Sequence, residues 1–521
     1  MRRVDVSNAP VSVSNETARR KPPVTRSRTR RPLALRWGRL VPSWPLLVGL
    51  AAFDRLLAEP MGLLNDPDTY LHIATGNWIL GHGALPLNDP FSHTMPGANW
   101  ISSEWLAQII LAAVYDGFGW RGTILLAAAS VALAVALLTH FLLRQLAPLP
   151  ALVAAAASAA LLLPHALARP HVLALPLLVL WSGLLLAARD ADRPPPFAAL
   201  AVIALWANLH GSFMFGLALA AFLGCEAVVQ PGAGRSRWVV GPRWGVFVLA
   251  AALAALLTPY GVAGLMQPFR LMAMPALQAT FAEWLSPDFQ KSPALELWIL
   301  GALLIGFASG VRLPPTRLLL LLGLVHMTLQ HARHGDLLAL VGPLALGAPL
   351  GGALAARTAR QAPSRLAGWF ARLARPPGIA AAAVTLALAV ALALPTALRP
   401  IVRTDDAMTP GAALAAATRL GLSGPVLNSE MFGGYLIFRG VPVFIDGRVE
   451  MYGNDFLATD YRGERGDPAA VRELLARYHI AWTLFLPGAG AVGVLDRLAG
   501  WERAYADDHA VIHRRTGPEP R

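Results

Sequence analysis

Apolar residues run along this chain in long blocks and not in the alternating faces of a soluble domain. Blocks of helical character fall at about 40–58, 120–143, 151–168, 171–188, 197–212, 213–230, 244–260, 295–311, 316–331, 336–356 and 378–397. A bilayer core of about 30 Å takes roughly 20 residues of helix to cross, so the blocks predict eleven membrane spans. An odd number of spans places the two ends on opposite faces. The segment 105–118, WLAQIILAAVYDGF, is expected as an interfacial helix or as the start of the second span. From about residue 405 the pattern changes. Charged residues, Gly-rich turns and the β-rich runs 441–445 (VPVFI) and 480–486 (IAWTLFL) accompany a helical stretch at 468–478, and 503–514 reads as a hairpin turning at Asp507 and Asp508. Such alternation predicts a compact α/β domain.

The expected architecture is therefore a mainly α polytopic membrane protein with about 11 transmembrane helices and a small C-terminal α/β soluble domain. Its parts are a basic tail at 1–39, a membrane domain at 40–398 with a first outer loop at 59–104, and an outer domain at 399–521.

Composition supports this division. Of 521 residues, 55% are hydrophobic and 14% charged, against about a quarter charged in soluble chains. So little charge excludes an ordinary soluble enzyme. The formal charge of +13 does not point to nucleic acid, because eleven Lys or Arg residues crowd the stretch from Arg2 to Arg39. That stretch reads as a cytoplasmic anchor under the positive-inside rule. A cleaved signal peptide fits less well, since no small-x-small site follows the first apolar run. Arg144, then Arg189 and Arg193, then Arg235, Arg237 and Arg243, then Arg312 and Arg317, then Arg357 to Arg375 recur at every second loop, on the side of the N-terminus. The loop at 59–104, the turns near 165–171, 208–213, 259–294 and 331–335, and everything after about 398 then face outward. Were 105–118 a separate span, every later assignment would invert. Cys225 is the single cysteine, which excludes a disulfide within the chain. No internal repeat is present.

Candidate chemistry collects on the outer side. The first loop carries Asp66 and Asp68 just before a segment in which Tyr70, Ile73 and Trp78 mark one face of an expected interfacial helix, and it ends at Glu104. Capping of that helix is the plain alternative for Asp66. Three more outer turns are polar: His165, Arg169 and His171 in LPHALARPHV, Asn208 and His210 in WANLHGSF, and His331, Arg333 and His334 in QHARHGD. Ionisable groups at membrane depth cost about 2.5 kcal/mol or more each, so several on one face argue for a functional cavity. Arg forks bind phosphate oxygens in pairs, and a carboxylate beside them accepts a proton from an attacking hydroxyl. Together these groups suit transfer of a group from a lipid phosphate. Metal binding is the weaker option: Asp66 and Asp68 offer oxygens to a divalent cation, and His331 with His334 imitates a ligand pair. No P-loop, dinucleotide glycine motif, nucleophile elbow or zinc-protease helix occurs.

With those residues in view, the chain resembles the GT-C superfamily of membrane glycosyltransferases, in an uncharacterised bacterial branch. The resemblance rests on NDPDTYLHIATG, WANLHGSF, LTPYG, FAEWLSPDF and NSEMFGGYLIFRGVPVFIDGR, and on the layout of spans, first loop and outer tail. It implies a bacterial inner-membrane enzyme with a polyprenyl-phosphate-linked sugar as donor and an unknown glycan, lipid or protein acceptor. No cofactor is certain. Asp66 matches the position of the family's base and Asp68 competes with it, while the paired Asp-Glu of several relatives is broken here by Pro67. The resemblance further implies inversion at the anomeric carbon, Glu104 as a second acid, and Arg169, Arg333, His331 and His334 at the donor phosphate. His72, His165, His171, Asn208, His210, Tyr260, Glu283 and Trp284 would line the pocket, and Tyr435, Asp446 and Arg448 are candidates for an acceptor surface. Two rival classes remain at this stage. A transporter or flippase would use the same polar ring as a pathway, although such folds tend to show paired halves. A non-catalytic assembly protein would be indifferent to loss of Asp66 and Asp68.

Overall fold

A computed structural model describes residues 40–232, 236–275, 282–359 and 365–517. The basic tail at 1–39 and Arg235 lie outside the described residues. The membrane part comprises α1 (Trp44–Ala58), α2 (Asp68–His82), α3 (Trp105–Leu142), α4 (Pro148–Leu162), α5 (Pro170–Asp190), α6 (Leu200–Leu209), α7 (Phe213–Val229), α8 (Arg237–Ala255), α9 (Gly261–Met272), α10 (Pro293–Ser309), α11 (Pro315–Gln330), α12 (Gly335–Thr358), α13 (Arg365–Leu373) and α14 (Ile379–Leu398).

Each of the eleven predicted apolar runs overlaps a helix, although 166–168, 210–212 and 256–260 fall beyond the helix ends. Among the described residues, six segments are long and apolar enough to cross a membrane: Trp105–Leu142, Pro148–His165, Pro170–Asp190, Arg237–Ala255, Ala332–Thr358 and Ile379–Leu398. Phe197–Leu209, Phe213–Val229 and Pro293–Ser309 are apolar but shorter, and α1 and α11 have 15 and 16 residues. Prolines 343 and 349 sit inside α12, which packed neighbours tolerate in membrane helices. The chain breaks at Gly119, with φ 62° and ψ −157°, so 105–118 is a helix distinct from 120–142. That backbone region is open essentially to glycine alone.

One apolar core runs through α1, α3, α5, α7, α8 and α12. At the end of the bundle away from the first loop, a buried ion-pair network ties three helices together. Arg317 Nε lies 2.9 Å from Glu226 Oε2, its Nη2 lies 2.7 Å from Asp190, and Arg189 Nε lies 3.0 Å from Glu226 Oε1. Arg189 and Arg317, counted above as loop charges, thus also brace the bundle.

The C-terminal domain, called the outer domain after the side expected for it from the sequence, contains α15 (Gly411–Arg419), β1 (Val426–Asn428), α16 (Glu430–Phe438), α17 (Val449–Tyr452), α18 (Asn454–Glu464), α19 (Pro468–Arg477), β2 (Trp482–Phe485), α20 (Gly490–Leu495), β3 (Trp501–Ala506) and β4 (Val511–Arg515). The sheet order is β1-β2-β4-β3, with β1 and β2 parallel and the other pairs antiparallel. The closing hairpin turns where predicted, with the Asp507 carboxylate accepting from the N–H groups of His509 and Ala510. The run VPVFI is not a strand of this sheet. Pro442 has no N–H to give a ladder, and Val443 instead pairs with the first outer loop, donating to Phe91 O at 3.1 Å and accepting from His93 N at 3.0 Å. Thr94 Oγ1 donates to Phe444 O at 2.7 Å. The outer domain is therefore docked on the loop that carries the acids, and Leu71 of α2 belongs to its core.

Candidate functional site

The acidic segment is built by a tight turn into α2. Asp66 Oδ1 accepts from the Asp68 N–H at 2.8 Å, one residue ahead of the N-cap position, which Pro67 occupies. The other Asp66 oxygen, Oδ2, lies 3.1 Å from Arg169 Nη1, while Arg169 Nη2 lies 2.8 Å from Asp68 Oδ2. Arg169 stands at the start of α5, where Pro170 at the first helical position fixes the turn. Residues about a hundred positions apart thus meet at one point. Arg169 also pairs with Glu283 at 3.5 Å, Glu283 pairs with Arg333 at 3.2 Å, and the Arg333 guanidinium lies 4.3 Å over the Trp284 ring.

A second cluster surrounds Glu104. His210 Nε2 approaches one carboxyl oxygen at 3.4 Å and His72 Nε2 the other at 3.7 Å. Ser212 fixes the His210 ring through contact with Nδ1 at 2.7 Å. Trp105 Nε1 donates to Asn208 Oδ1 at 2.9 Å, and Tyr260 Oη accepts from Ser102 N at 3.3 Å.

These groups surround a cavity of about 920 Å³. Its mouth is lined by Glu104, Arg169, His171, His210, Glu283 and Arg333, with His165, His334 and Trp284 beside them. Deeper in, Leu175, Leu178, Ala218, Leu219, Phe222 and Leu320 make the wall apolar. Asp66 and Asp68 are not on that wall but border it, next in the chain to Asn65, which is, and paired with Arg169. Neither are His72 and His331, which hold the lining residues Glu104 and Trp284, nor Asn208 and Tyr260, which brace Trp105 and Ser102 on either side of Glu104 in the chain. His331 turns Nδ1 to the Trp284 carbonyl at 2.5 Å and stacks edge-on against Trp284 and His334. His334 turns Nδ1 to Met327 O at 3.1 Å. Both Nδ1 atoms therefore serve backbone carbonyls, and the pair does not present itself as a ligand set. Among the described residues no group of three or more His, Cys, Asp or Glu is arranged to hold a metal ion, and Arg169 occupies the position between Asp66 and Asp68 that a bridging cation would need. The residues present do not fit a divalent ion.

Burial sets the charges. It pushes the Asp66 and Asp68 carboxyls above the usual range, against the pull of Arg169. Glu104 is pushed up to about 8 by burial, although 23% of its side chain is open. His72 is driven down to about 3 by the same desolvation, with Arg169 and His171 adding to it. Burial would also raise Glu283, but Arg169 and Arg333 together hold it below its ordinary value.

Sequence reasoning passed over several groups. Asp336 and Gln267 also line the cavity. Asp89, in the first loop, meets Arg448 at 2.6 Å. Asp336 closely follows the flagged His-Arg turn, and Asp89 stands in the same Asn-Asp-Pro setting as Asp66, where its carboxylate accepts from Phe91 and Ser92. Asp446 and Arg448 are fully or almost fully buried, pairing with each other at 2.7 Å, and Tyr435 is buried too. They dock the outer domain and present no free acceptor surface.

No family model and no curated protein sequence matches the chain. Among solved structures, the archaeal oligosaccharyltransferase AglB from Archaeoglobus fulgidus, in complex with an inhibitory peptide and a dolichol-phosphate, aligns over 87% of this chain and 70% of its own, with TM-score 0.51 and 13% identity. ArnT from Cupriavidus metallidurans in the apo state aligns over 92% of this chain and 98% of its own, with TM-score 0.48 and 15% identity. At such identity the likeness to AglB is one of fold alone. The chain is a multi-pass membrane protein that shares its fold with the oligosaccharyltransferase AglB.

Proposed function

We propose that the protein is a GT-C-type glycosyltransferase that moves a sugar from a polyprenyl-phosphate donor to an acceptor hydroxyl on the outer face of a bacterial inner membrane, with its N-terminus cytoplasmic. The observation that carries this reading is the convergence of Asp66 and Asp68 on Arg169 at the mouth of a cavity whose depth is apolar. A polyprenyl chain suits the apolar depth. A phosphate suits the arginines at the mouth, because guanidinium forks bind its oxygens in pairs. The solved fold-mate AglB carries a dolichol-phosphate.

In this reading the acceptor hydroxyl gives its proton to a carboxylate, its oxygen bonds to the anomeric carbon from the side opposite the donor oxygen, and the bond to phosphate breaks. The phosphate leaves with the electron pair, held by Arg169 and Arg333. The product is inverted at that carbon. Asp68 is favoured as the base, because both Asp66 oxygens are engaged, whereas Asp68 Oδ1 makes no hydrogen bond among the described residues. Its raised carboxyl is better matched to proton transfer near neutral pH than an ordinary aspartate. Glu104, flanked by two imidazoles, orients the sugar or the acceptor. The phosphate-binding role assigned to His331 from the sequence passes to a supporting one beneath Trp284. The chemistry needs no metal, so chelation with EDTA is expected to leave transfer unchanged.

Purified protein in detergent, given a panel of labelled polyprenyl-phosphate sugars, is expected to transfer label, and Asp68→Asn to reduce transfer about 100-fold or more. Transfer that survives Asp66→Asn, Asp68→Asn and Glu104→Gln at wild-type rate contradicts the site assignment. Movement of donor across vesicles without transfer favours a transporter.

A further inference from the structure

The outer domain reaches the acidic segment with two glycines. A Cβ built on Gly434 would lie 2.3 Å from the Pro67 carbonyl oxygen, and one on Gly447 would lie 2.1 Å from Asp68 Oδ1. Both distances are deep inside van der Waals contact, so the outer domain touches the backbone before Asp68 and the carboxylate itself. Gly447 is not required for its dihedral angles, since its φ is not positive. A side chain at this position simply does not fit beside Asp68.

The neighbours of Gly447 cannot give way. Asp446 receives Arg448 Nε at 2.7 Å and Tyr452 Oη at 2.7 Å, and Arg448 Nη1 reaches across to Asp89 at 2.6 Å. The Arg448 guanidinium also lies 4.7 Å from the Trp100 ring centroid. On the other side, Tyr70 of α2 is held by Thr409 at 3.0 Å and by edge-on packing with Tyr435, and the Arg403 guanidinium lies 4.7 Å over its ring. Asp68 is thus held between Arg169, which takes Oδ2, and a braced glycine, which packs against Oδ1 on one side only and leaves it without a hydrogen bond among the described residues.

We propose that the segment Asp446–Gly447–Arg448 positions the Asp68 carboxylate, so that the outer domain completes the reaction site and Gly447 is a positioning residue for it. This rests on Asp68 as the base in the reaction proposed above. It assigns the outer domain a part in turnover that the fold alone does not require of it.

The test is Gly447→Ala. The atom it would strike is the free end of a side chain and not backbone, so the variant is expected to fold with Asp68 displaced. Turnover should fall about 100-fold while the KM for donor changes far less, because both arginines remain in place even though Arg169 loses its 2.8 Å contact with Asp68. Gly488→Ala, where a Cβ meets nothing, should leave turnover unchanged. A second measurement does not depend on activity: Gly447→Ala should lower the melting temperature in wild type but not in an Asp68→Ala background, as expected for two groups in contact. Wild-type turnover in Gly447→Ala, or the same melting cost in both backgrounds, overturns the proposal. If no donor supports transfer, the proposed reaction fails, and the melting cycle still decides whether Gly447 acts on Asp68.

Discussion

Arg169 is engaged with three carboxylates at once, at 3.1, 2.8 and 3.5 Å, while only 23% of its side chain is open. Removing one partner of a buried ion pair leaves the others uncompensated. Arg169→Gln is therefore expected to cost about 3 kcal/mol at most, because the abandoned carboxyls relieve part of the strain by taking up protons. Denaturant or thermal unfolding in detergent would measure it. Glu104 gives a pH signature. Its folded-state pKa of about 8 lies above the ordinary 4.5, so the fold favours the protonated form. Its contribution is fully present below about 4.5, and it is lost as pH rises from there to about 8. Melting temperatures across that range should fall less steeply in Glu104→Gln, which cannot ionise. Equal slopes for the two proteins would show that burial does not control this group.

At the scale of elements, Gly119 decides where one helix becomes two. Its φ of 62° and ψ of −157° cost of order 1–3 kcal/mol for a residue with a Cβ. Gly119→Ala is expected to lower the melting temperature, and an unchanged value would mean the break tolerates straightening. The helices themselves were legible in sequence because lipid demands long apolar runs, and each predicted run overlaps a helix. The break between 105–118 and 120–142 was foreseen in place but open in kind. In the C-terminal domain the sequence showed α19, expected at 468–478, but hid other helices such as α16, whose segment EMFGGYLIF carries apolar residues all round. Such a run has no periodicity to read, because α16 is buried between the sheet and α2. The run VPVFI misled for the opposite reason. Its β-rich composition reflects pairing with the first loop 350 residues away, which local pattern does not encode.

Across the whole molecule, the outer domain and the membrane bundle share one seam. Arg448 is the pin of that seam, meeting Asp446 at 2.7 Å and Asp89 at 2.6 Å with almost no exposure. Arg448→Leu leaves two buried carboxylates facing each other and is expected to cost about 3–5 kcal/mol, seen as early proteolysis of the first outer loop. The candidate site was partly legible for the same reason that it is expensive. His and Arg at apolar helix ends stand out in a sequence, which is how Arg169 and Arg333 were found. Which of them face the cavity and which prop others, as His331 props Trp284, depends on side-chain direction and was not legible. The proposed reaction depends most on the arginines at the mouth holding a donor phosphate above an apolar cavity. The affinity of purified protein for labelled polyprenyl phosphate tests this directly: Arg169→Gln combined with Arg333→Gln should weaken binding by a factor of about 10 or more, with Asp68→Asn binding as tightly as wild type. Undiminished binding in the double arginine variant would contradict it.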